Sequence, residues 1–375
     1  MTSHALYDFA VIGAGMAGAS LAAELSPYAS VLVIEAEDTP GYHSTGRSAA
    51  FWEECYGGPG VVPLTLPSGA YLRDHGFLRP RGGLYIGQAG DRAKMDDFVK
   101  TFDGTGVTIE RLGRKELTAR VPHTRKEWCD AIWEPACADI DVAGLHQHYL
   151  RALKQSGADL VCRARVARLE REEGGWRITC ETGQTYRAAK VVNAAGAWAD
   201  SCAQMAGAQP LGITPLRRTV AQLRVAPAAP DDLPLVLDIN GGFYFKPDNG
   251  RLWLSPHDEI PTTPCDAAPE EIDVALAIDR FQAVTDWRIE AVERRWAGLR
   301  SFAPDRLPVY GPDPEVDRFV WFAGQGGFGI QTSPAAARLG AQIMLDLSAD
   351  AMTQAIDRQA YTPSRYHGAK SIQAG

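Results

Sequence analysis

The apolar run Phe9-Ala10-Val11-Ile12 enters Gly13-Ala14-Gly15-Met16-Ala17-Gly18. An Ala- and Leu-rich stretch then continues from Ala19 to Leu25 and stops at Ser26-Pro27. The pattern predicts strand, tight turn and helix. Val31-Leu32-Val33-Ile34 predicts a second buried strand that ends at Glu35. The unit is therefore β-α-β, with a parallel pair and a right-handed crossover.

Beyond it the pattern changes. From Gly41 to Gly60 the chain is rich in Gly, Ser and aromatic residues and reads as loop, with a helix start near Ser44. Helices are predicted over Arg92 to Phe102, Asp141 to Gln155, Glu270 to Ala283 and Pro334 to Leu347. Strands are predicted at Leu84 to Ile86, Leu160 to Val166, Trp176 to Cys180, Thr185 to Arg187, Lys190 to Asn193 and Phe319 to Ala323. A further set, Arg217 to Val225, Leu235 to Ile239, Phe243 to Lys246 and Leu252 to Leu254, is punctuated by proline-rich segments and predicts an antiparallel sheet. We therefore expect an α/β protein: a Rossmann-like nucleotide-binding domain built from residues 1–50, 142–213 and 296–375, and an α+β second domain on an antiparallel sheet from 51–141 and 214–295.

The chain has 375 residues, 45% of them hydrophobic and 22% charged, which excludes disorder as the dominant state. The net charge of −8 argues against a nucleic-acid-binding face, but a few arginines can still line a pocket. No apolar run approaches the ~18 residues of a membrane span. The N-terminus lacks the pattern of a signal peptide, so a cytoplasmic location is expected. The seven cysteines contain no C-x-x-C pair, so reduced thiols are expected rather than a metal site or disulfides.

In G-x-G-x-x-G, Gly13 makes the turn, Gly15 admits a pyrophosphate and Gly18 lets the helix pack on the strand. The helix N-terminus offers free N–H groups and a positive dipole end. Glu35 lies about 20 residues on, where a carboxylate accepts bonds from ribose hydroxyls. The motif does not choose a dinucleotide; two later segments favour flavin. Gly41 to Ser48 supplies small polar residues for a phosphate and a polyol, plus Arg47. Gly324 to Gln331 leads into another helix, whose N-terminus can stabilise negative charge on a reduced flavin.

These segments, with Asn193 to Trp198, Trp296 to Arg300 and Gln325 to Ser333, resemble the FAD-dependent D-amino-acid oxidase and dehydrogenase family, glycine and sarcosine oxidases included. Within that family the chain is similar to D-arginine dehydrogenase, and the resemblance covers nearly the whole chain. It implies FAD and oxidation of a C–N bond by hydride removal, giving an imine that hydrolyses to a 2-oxo acid and ammonia. By the same resemblance Gly13, Gly15, Gly18 and Glu35 hold the ADP half, and Ser44, Thr45, Arg47, Ser48 and Ala49 line pyrophosphate and flavin. Val166, Ala195 and Gly196 lie on the adenine and ribose side, and Gly327, Gly329, Ile330 and Gln331 beside the isoalloxazine and ribityl. Arg218 and Arg300 match positions that grip a substrate carboxylate, with Tyr56 and Tyr244 assisting.

Alternation supports part of this: Arg217 and Arg218 point to opposite faces of a predicted strand, so only one faces a pocket. The chain also departs from D-arginine dehydrogenase. A histidine of its active-site loop is Phe51 here, and its acid for a basic side chain is Gly83, with Glu53 and Glu54 as alternative acids. Both changes count against D-arginine as the preferred substrate. Cysteine-linked flavin is not expected, because the final cysteine is Cys265. A secondary or cyclic amino acid, such as sarcosine, glycine or a hydroxyproline-like compound, is the alternative substrate. A non-catalytic flavin protein and an NAD-dependent dehydrogenase are weaker readings. The electron acceptor, oxygen or quinone, is left open.

Overall fold

The computed structural model describes residues 6–366. Its first sheet has eight strands. Leu6–Ile12 lies between Val31–Ile34 and Thr185–Asn193, parallel to both, and Asp159–Val161 extends the sheet beyond Val31–Ile34. Thr185–Asn193 forks: its first half pairs antiparallel with Gly175–Cys180, and its second half runs parallel to Phe319–Ala323. Both faces are covered, which is why the central strands read as unbroken apolar runs. Phe9, Val11, Val31 and Val33 pack under helices Met16–Leu25 and Ser333–Leu345. Ala10, Ile12, Leu32 and Ile34 face the other way, toward Trp176, Ile178 and helix Ala199–Met205.

The second sheet has ten strands. Toward one edge lies the long pair Thr214–Ala226 and Arg288–Phe302, followed across the sheet by Arg251–Ser255, Tyr244–Asp248, Leu235–Asp238, Gly83–Gln88, Trp128–Glu134 and Glu110–Gly113. The expected antiparallel sheet is present with one exception: Leu235–Asp238 runs parallel to Gly83–Gln88. A small third sheet, Phe51–Trp52, Ala138–Ile140 and Leu78–Pro80, carries the segment after the flavin-type loop.

Several local expectations are corrected. No helix starts at Ser44: residues 40–47 form turns, with Gly41 at φ +82° and the Gly46 N–H closing onto its carbonyl. Leu160 to Val166 is two strands, broken where Arg163 adopts φ +55°. Thr185 to Asn193 is one strand rather than two. The helix Val62–Asp74 stands where no element is predicted; Pro63 sits in its first turn, where its missing N–H costs nothing.

Candidate active site

The glycine loop shows why each glycine is there. Gly13 holds φ +101°, and a Cβ on it would lie 2.6 Å from the Ala194 carbonyl oxygen. A Cβ on Gly18 would lie 1.8 Å from the Gly13 carbonyl oxygen, so helix and turn touch main chain to main chain. Gly15 is different: its nearest neighbour would be Thr45 Oγ1 at 3.4 Å, so its missing side chain leaves open space. Glu35 is held by two backbone donors, its carboxylate accepting the N–H of Ala14 at 2.8 Å and of Glu37 at 2.9 Å. Thr45 Oγ1 accepts the Met16 N–H at 2.9 Å, which ties the following loop to the helix start. His146 Nε2 lies 2.9 Å from the Ala14 carbonyl, and burial lowers its pKa, so the neutral ring donates there.

From this loop a cleft of about 270 Å³, partly open to solvent, runs to the C-terminal glycine segment. Gly13, Gly15, Glu35, Ser44, Thr45, Ser48, Val166, Ala195, Gly196, Gly327, Gly329 and Ile330 all line it, as do Trp198 and Arg300. Four residues expected to hold the cofactor do not, and neither do Arg218, Tyr56 and Tyr244, expected at the substrate. Gly18 lies beneath the turn, and Ala49 is buried in the cluster around Tyr85 and Tyr244. Arg47 turns away to the carbonyls of Ala267 and Ala297 and to Asp266. The Gln331 amide binds the main chain of Glu53 and Tyr56 and the hydroxyl of Thr65.

Arg300 lines the cleft, and Arg218 stands beside it without lining it. The register pairs Leu216 with Arg300 and Arg218 with Gly298, so Arg218 and Arg300 share one face of the sheet. Gly298 makes the room: a Cβ there would lie 3.1 Å from Arg300 Nη1. Arg218 is 3% exposed and Arg300 7%. Arg218 donates through Nε to the Asp258 carbonyl at 2.7 Å and through Nη2 to Glu259 at 3.1 Å. Burial opposes its charge, but Tyr56, Tyr244 and Glu259 outweigh burial and its pKa rises. Arg300 donates only to the Leu299 carbonyl, at 3.4 Å, and has no ion pair among the described residues. Burial, with Arg218 beside it, lowers its pKa.

Tyr56 and Tyr244 complete this end. Phe51 packs between them, 5.8 Å from the Tyr56 ring and 5.6 Å from that of Tyr244. The Tyr56 hydroxyl lies against Gly327, where a Cβ would come within 1.8 Å of it. His257 packs edge-on to Tyr244, its pKa pushed down to about 3 by burial and Arg218. Arg217 faces away and pairs with Glu270 and Asp273, as alternation requires.

Sequence reasoning missed Glu134. It stands opposite Gly83 across the strand pair and accepts the N–H groups of Glu54 at 2.6 Å and Cys55 at 3.4 Å. Only the sheet register reveals it. Glu53 is fully buried beside it.

The strand-turn-helix unit with its carboxylate defines a dinucleotide-binding protein, and the cleft leading to a second glycine loop suits a long nucleotide such as a flavin dinucleotide. The chain belongs to the FAD-dependent oxidoreductase family, whose model matches residues 8–343. FAD is therefore its cofactor, and the backbone cradle at Gly13 to Gly18, with open space over Gly15, fits it. Among relatives, glycine oxidase of Geobacillus kaustophilus is 26% identical, the match covering 90% of this chain and 93% of that protein. The hydrogen cyanide synthase subunit HcnC of Pseudomonas aeruginosa is 24% identical over 87% of this chain and 89% of its own. Among solved structures, L-proline dehydrogenase from P. horikoshii superposes with a TM-score of 0.83 at 22% identity, covering 97% of this chain and 98% of that one. An FAD-bound L-α-glycerophosphate oxidase from Mycoplasma pneumoniae gives 0.83 at 16% identity over 91% and 95%. The fold is thus an FAD-binding α/β unit with a substrate domain on a large, mainly antiparallel sheet, and the protein is an FAD-dependent oxidoreductase.

Proposed function

We propose that the protein oxidises the C–N bond of a D-amino acid, giving an imino acid that hydrolyses in water to a 2-oxo acid and ammonia. The observation that carries this reading is Arg300: a buried guanidinium at the flavin end of the cleft, beside a second arginine and without an acid of its own. A buried, unpaired charge is costly unless a ligand neutralises it. A carboxylate does so with two parallel hydrogen bonds.

In this reading Arg300 supplies the main fork, and Arg218, half engaged by Glu259, adds a second donor. Tyr56 and Tyr244 direct hydroxyls to the same carboxylate, and Phe51 excludes water between them. Bound FAD supplies the hydride acceptor for the α-hydrogen. His257, held neutral, adds no competing positive charge. The D preference rests on the resemblance of Tyr42 to Ala49 and Gly329 to Ser333.

The test is anaerobic mixing of purified protein with D- and L-amino acids, glycine, sarcosine and proline while flavin absorbance is followed. Bleaching by D-amino acids ahead of their enantiomers is expected, as is release of FAD by acid or heat. Bleaching by sarcosine or proline alone would replace the substrate with a secondary amine.

A further inference from the structure

The segment that follows the flavin-type loop runs out from Phe51 and turns back at Tyr56. Phe51 packs on Tyr244, and the Tyr56 ring returns to 5.8 Å from that of Phe51. Between them the chain turns at Glu54 and Cys55: the Tyr56 N–H donates to the Glu53 carbonyl at 3.4 Å, and the Gly58 N–H to the Cys55 carbonyl at 3.1 Å. Tyr56 therefore follows wherever that tip is held. Its ring meets the rings of Phe51 and Phe328, apolar contacts that do not by themselves aim a hydroxyl. Yet Tyr56 stands close enough to act on both guanidinia, Arg218 and Arg300.

Glu134 holds the tip. It ends the strand Trp128–Glu134, and the register sets Gly83 opposite it and Tyr85 opposite Ile132, so Glu134 and Tyr85 project from one face. Both carboxylate oxygens meet the turn: Oε1 accepts the Glu54 N–H at 2.6 Å, and Oε2 accepts the Cys55 N–H at 3.4 Å. Glu134 is 0% exposed, and hydrogen bonds to a carboxylate are about twice as strong as neutral ones. Gly83 leaves the acid its room: a Cβ there would lie 3.8 Å from Glu134 Cβ and 3.1 Å from Cys137 Cβ. Gln331 holds the base of the same turn, its Nε2 donating to the carbonyls of Glu53 at 3.0 Å and Tyr56 at 3.4 Å.

The groups around Glu134 leave the first charge to it. Glu53, Cys55 and Glu134 present polar atoms within 4.8 Å of one another. Two carboxyls that close in a dry interior do not ionise together. Glu134 has the two backbone donors, which favour its ionised form. Glu53 has the Tyr85 hydroxyl on Oε1 and no hydrogen-bond partner on Oε2. Burial, with the charge of Glu134 beside it, raises the Glu53 pKa well above the ordinary value. Burial and the same acids also raise the thiols of Cys55 and Cys137. Glu54 turns its own carboxyl to the Thr108 N–H at 3.3 Å.

We propose that Glu134 is a positioning residue: its carboxylate anchors the turn at Glu54 and Cys55, and so sets the Tyr56 hydroxyl against the substrate carboxylate held by Arg218 and Arg300. The proposal rests on the amino-acid reading of the site. In this role Glu134 touches neither substrate nor flavin and acts through the main chain from Glu54 to Tyr56. Glutamine cannot replace it, because one arm of the amide is a donor and would face an N–H of the turn.

The experiment is a double-mutant cycle in the FAD-loaded enzyme, read as kcat/KM for flavin reduction by D-methionine, or by whichever amino acid of the panel above reduces it. Tyr56→Phe should lower kcat/KM by about tenfold or more, the worth of one hydrogen bond to a charged group. Glu134→Gln should lower it by about tenfold with FAD retained. In the Tyr56→Phe background Glu134→Gln should then change it by less than about threefold, because the hydroxyl it aims is gone. An equal loss in both backgrounds means a general structural role and overturns the proposal, as does no loss in either. Hydrogen exchange needs no variant: in wild type the Glu54 and Cys55 amides should exchange at least about a hundredfold more slowly than in an unstructured peptide. Exchange at the unstructured rate overturns the anchor even if Glu134→Gln fails to fold. Stoichiometric zinc in the purified holoenzyme would overturn it too, since Glu134 would then serve as a ligand with Glu53 and Cys55. If every amino acid of the panel leaves the flavin oxidised, the amino-acid reading falls and the proposal with it; if the flavin is reduced and the cycle is additive, only the proposal does.

Discussion

The nucleotide end of the cleft is built from main chain, and the end beside Arg218 and Arg300 from side chains. At the first, Gly13 and Gly18 bring backbone against backbone, and Glu35 and Thr45 are fixed by N–H groups of the same loop. At the second, buried guanidinia, phenols and carboxyls converge from strands far apart in sequence. The first needs little more than small residues at fixed spacing and tolerates almost no added volume. The second carries charge in a dry interior, so its energetics depend on what is bound and on pH.

The largest effect should come from adding volume to the main-chain end. Gly18→Val places a Cβ against the Gly13 carbonyl, which no side-chain motion can relieve. The variant should purify without FAD and fail to regain it in excess cofactor. Gly15→Ala sharpens the comparison, because its Cβ meets nothing closer than Thr45 Oγ1 at 3.4 Å. It should fold normally, and weakened FAD binding, measured by fluorescence titration, would then report the ligand's approach to Gly15. FAD retained by Gly18→Val would break the distinction between the two ends.

The side-chain end should respond to lost charge rather than added volume. Arg300→Ala should cost about 3 kcal/mol or more of transition-state binding, a fall of roughly a hundredfold in kcat/KM, with FAD still bound. Arg217→Ala, on the opposite face with Glu270 and Asp273, should leave kcat/KM within about threefold, because it removes no group from the cleft. Equal losses in the two variants would place the substrate on the wrong face of the sheet.

The two ends also differ in how far the sequence exposes them. The β-α-β unit is legible because its information is local: apolar run, glycines, helix, apolar run, acid. The face of Arg218 is legible because alternation along a strand is local as well. Glu134 is not, since its meaning comes from standing opposite Gly83 and behind Glu53, contacts that only strand register creates. The helix Val62–Asp74 is hidden for a related reason. Pro67 inside it removes a hydrogen bond, yet burial of Leu64, Thr65, Ser68 and Leu72 holds the helix, and Gly69 lies so close to Trp52 that a Cβ would come within 2.2 Å of the indole. Tertiary packing overrides propensity there. The turns at 40–47 misread as a helix start because their Ser and Thr resemble a cap, while Gly41 at positive φ closes a turn instead.

A smaller effect tests the buried acids through stability. Glu53 and Glu134 have folded pKa values raised by burial, so folding takes up protons above the ordinary carboxylate value near 4.3. Their contribution is fully present below that value and is lost as pH rises toward the folded values. Asp139 behaves oppositely: burial works against its charge, but Arg81 and Lys246 outweigh burial and depress its pKa. Its contribution is present above about 3.9 and is lost as pH falls through the folded value. The unfolding free energy at saturating FAD should therefore decline from pH 5 toward pH 8, by up to about 1.4 kcal/mol per pH unit for each proton taken up, and the thermal midpoint should fall with it. Glu53→Gln should flatten that decline. A wild-type curve already flat over this range would mean the acids are ionised in the folded protein.

The smallest effect belongs to the border between the two ends, where Arg47 leaves the flavin-type loop for the strand that carries Arg300. Its guanidinium reaches the carbonyls of Ala267 and Ala297 and the carboxylate of Asp266. The three partners are not equivalent. The carbonyls belong to ordered main chain, whereas the Asp266 side chain is 59% exposed and shares its charge with water. Exposed ion pairs contribute only about 0.2–1 kcal/mol, and salt screens them further. Asp266→Asn should therefore shift stability by less than about 1 kcal/mol and leave FAD affinity unchanged, since the two carbonyl bonds still hold the arginine. Arg47→Ala, which removes all three contacts, should cost more in both measurements. If Asp266→Asn weakened FAD binding as much as Arg47→Ala, the loop would depend on a solvent-exposed charge, and the main-chain end would be less self-contained than its glycines imply.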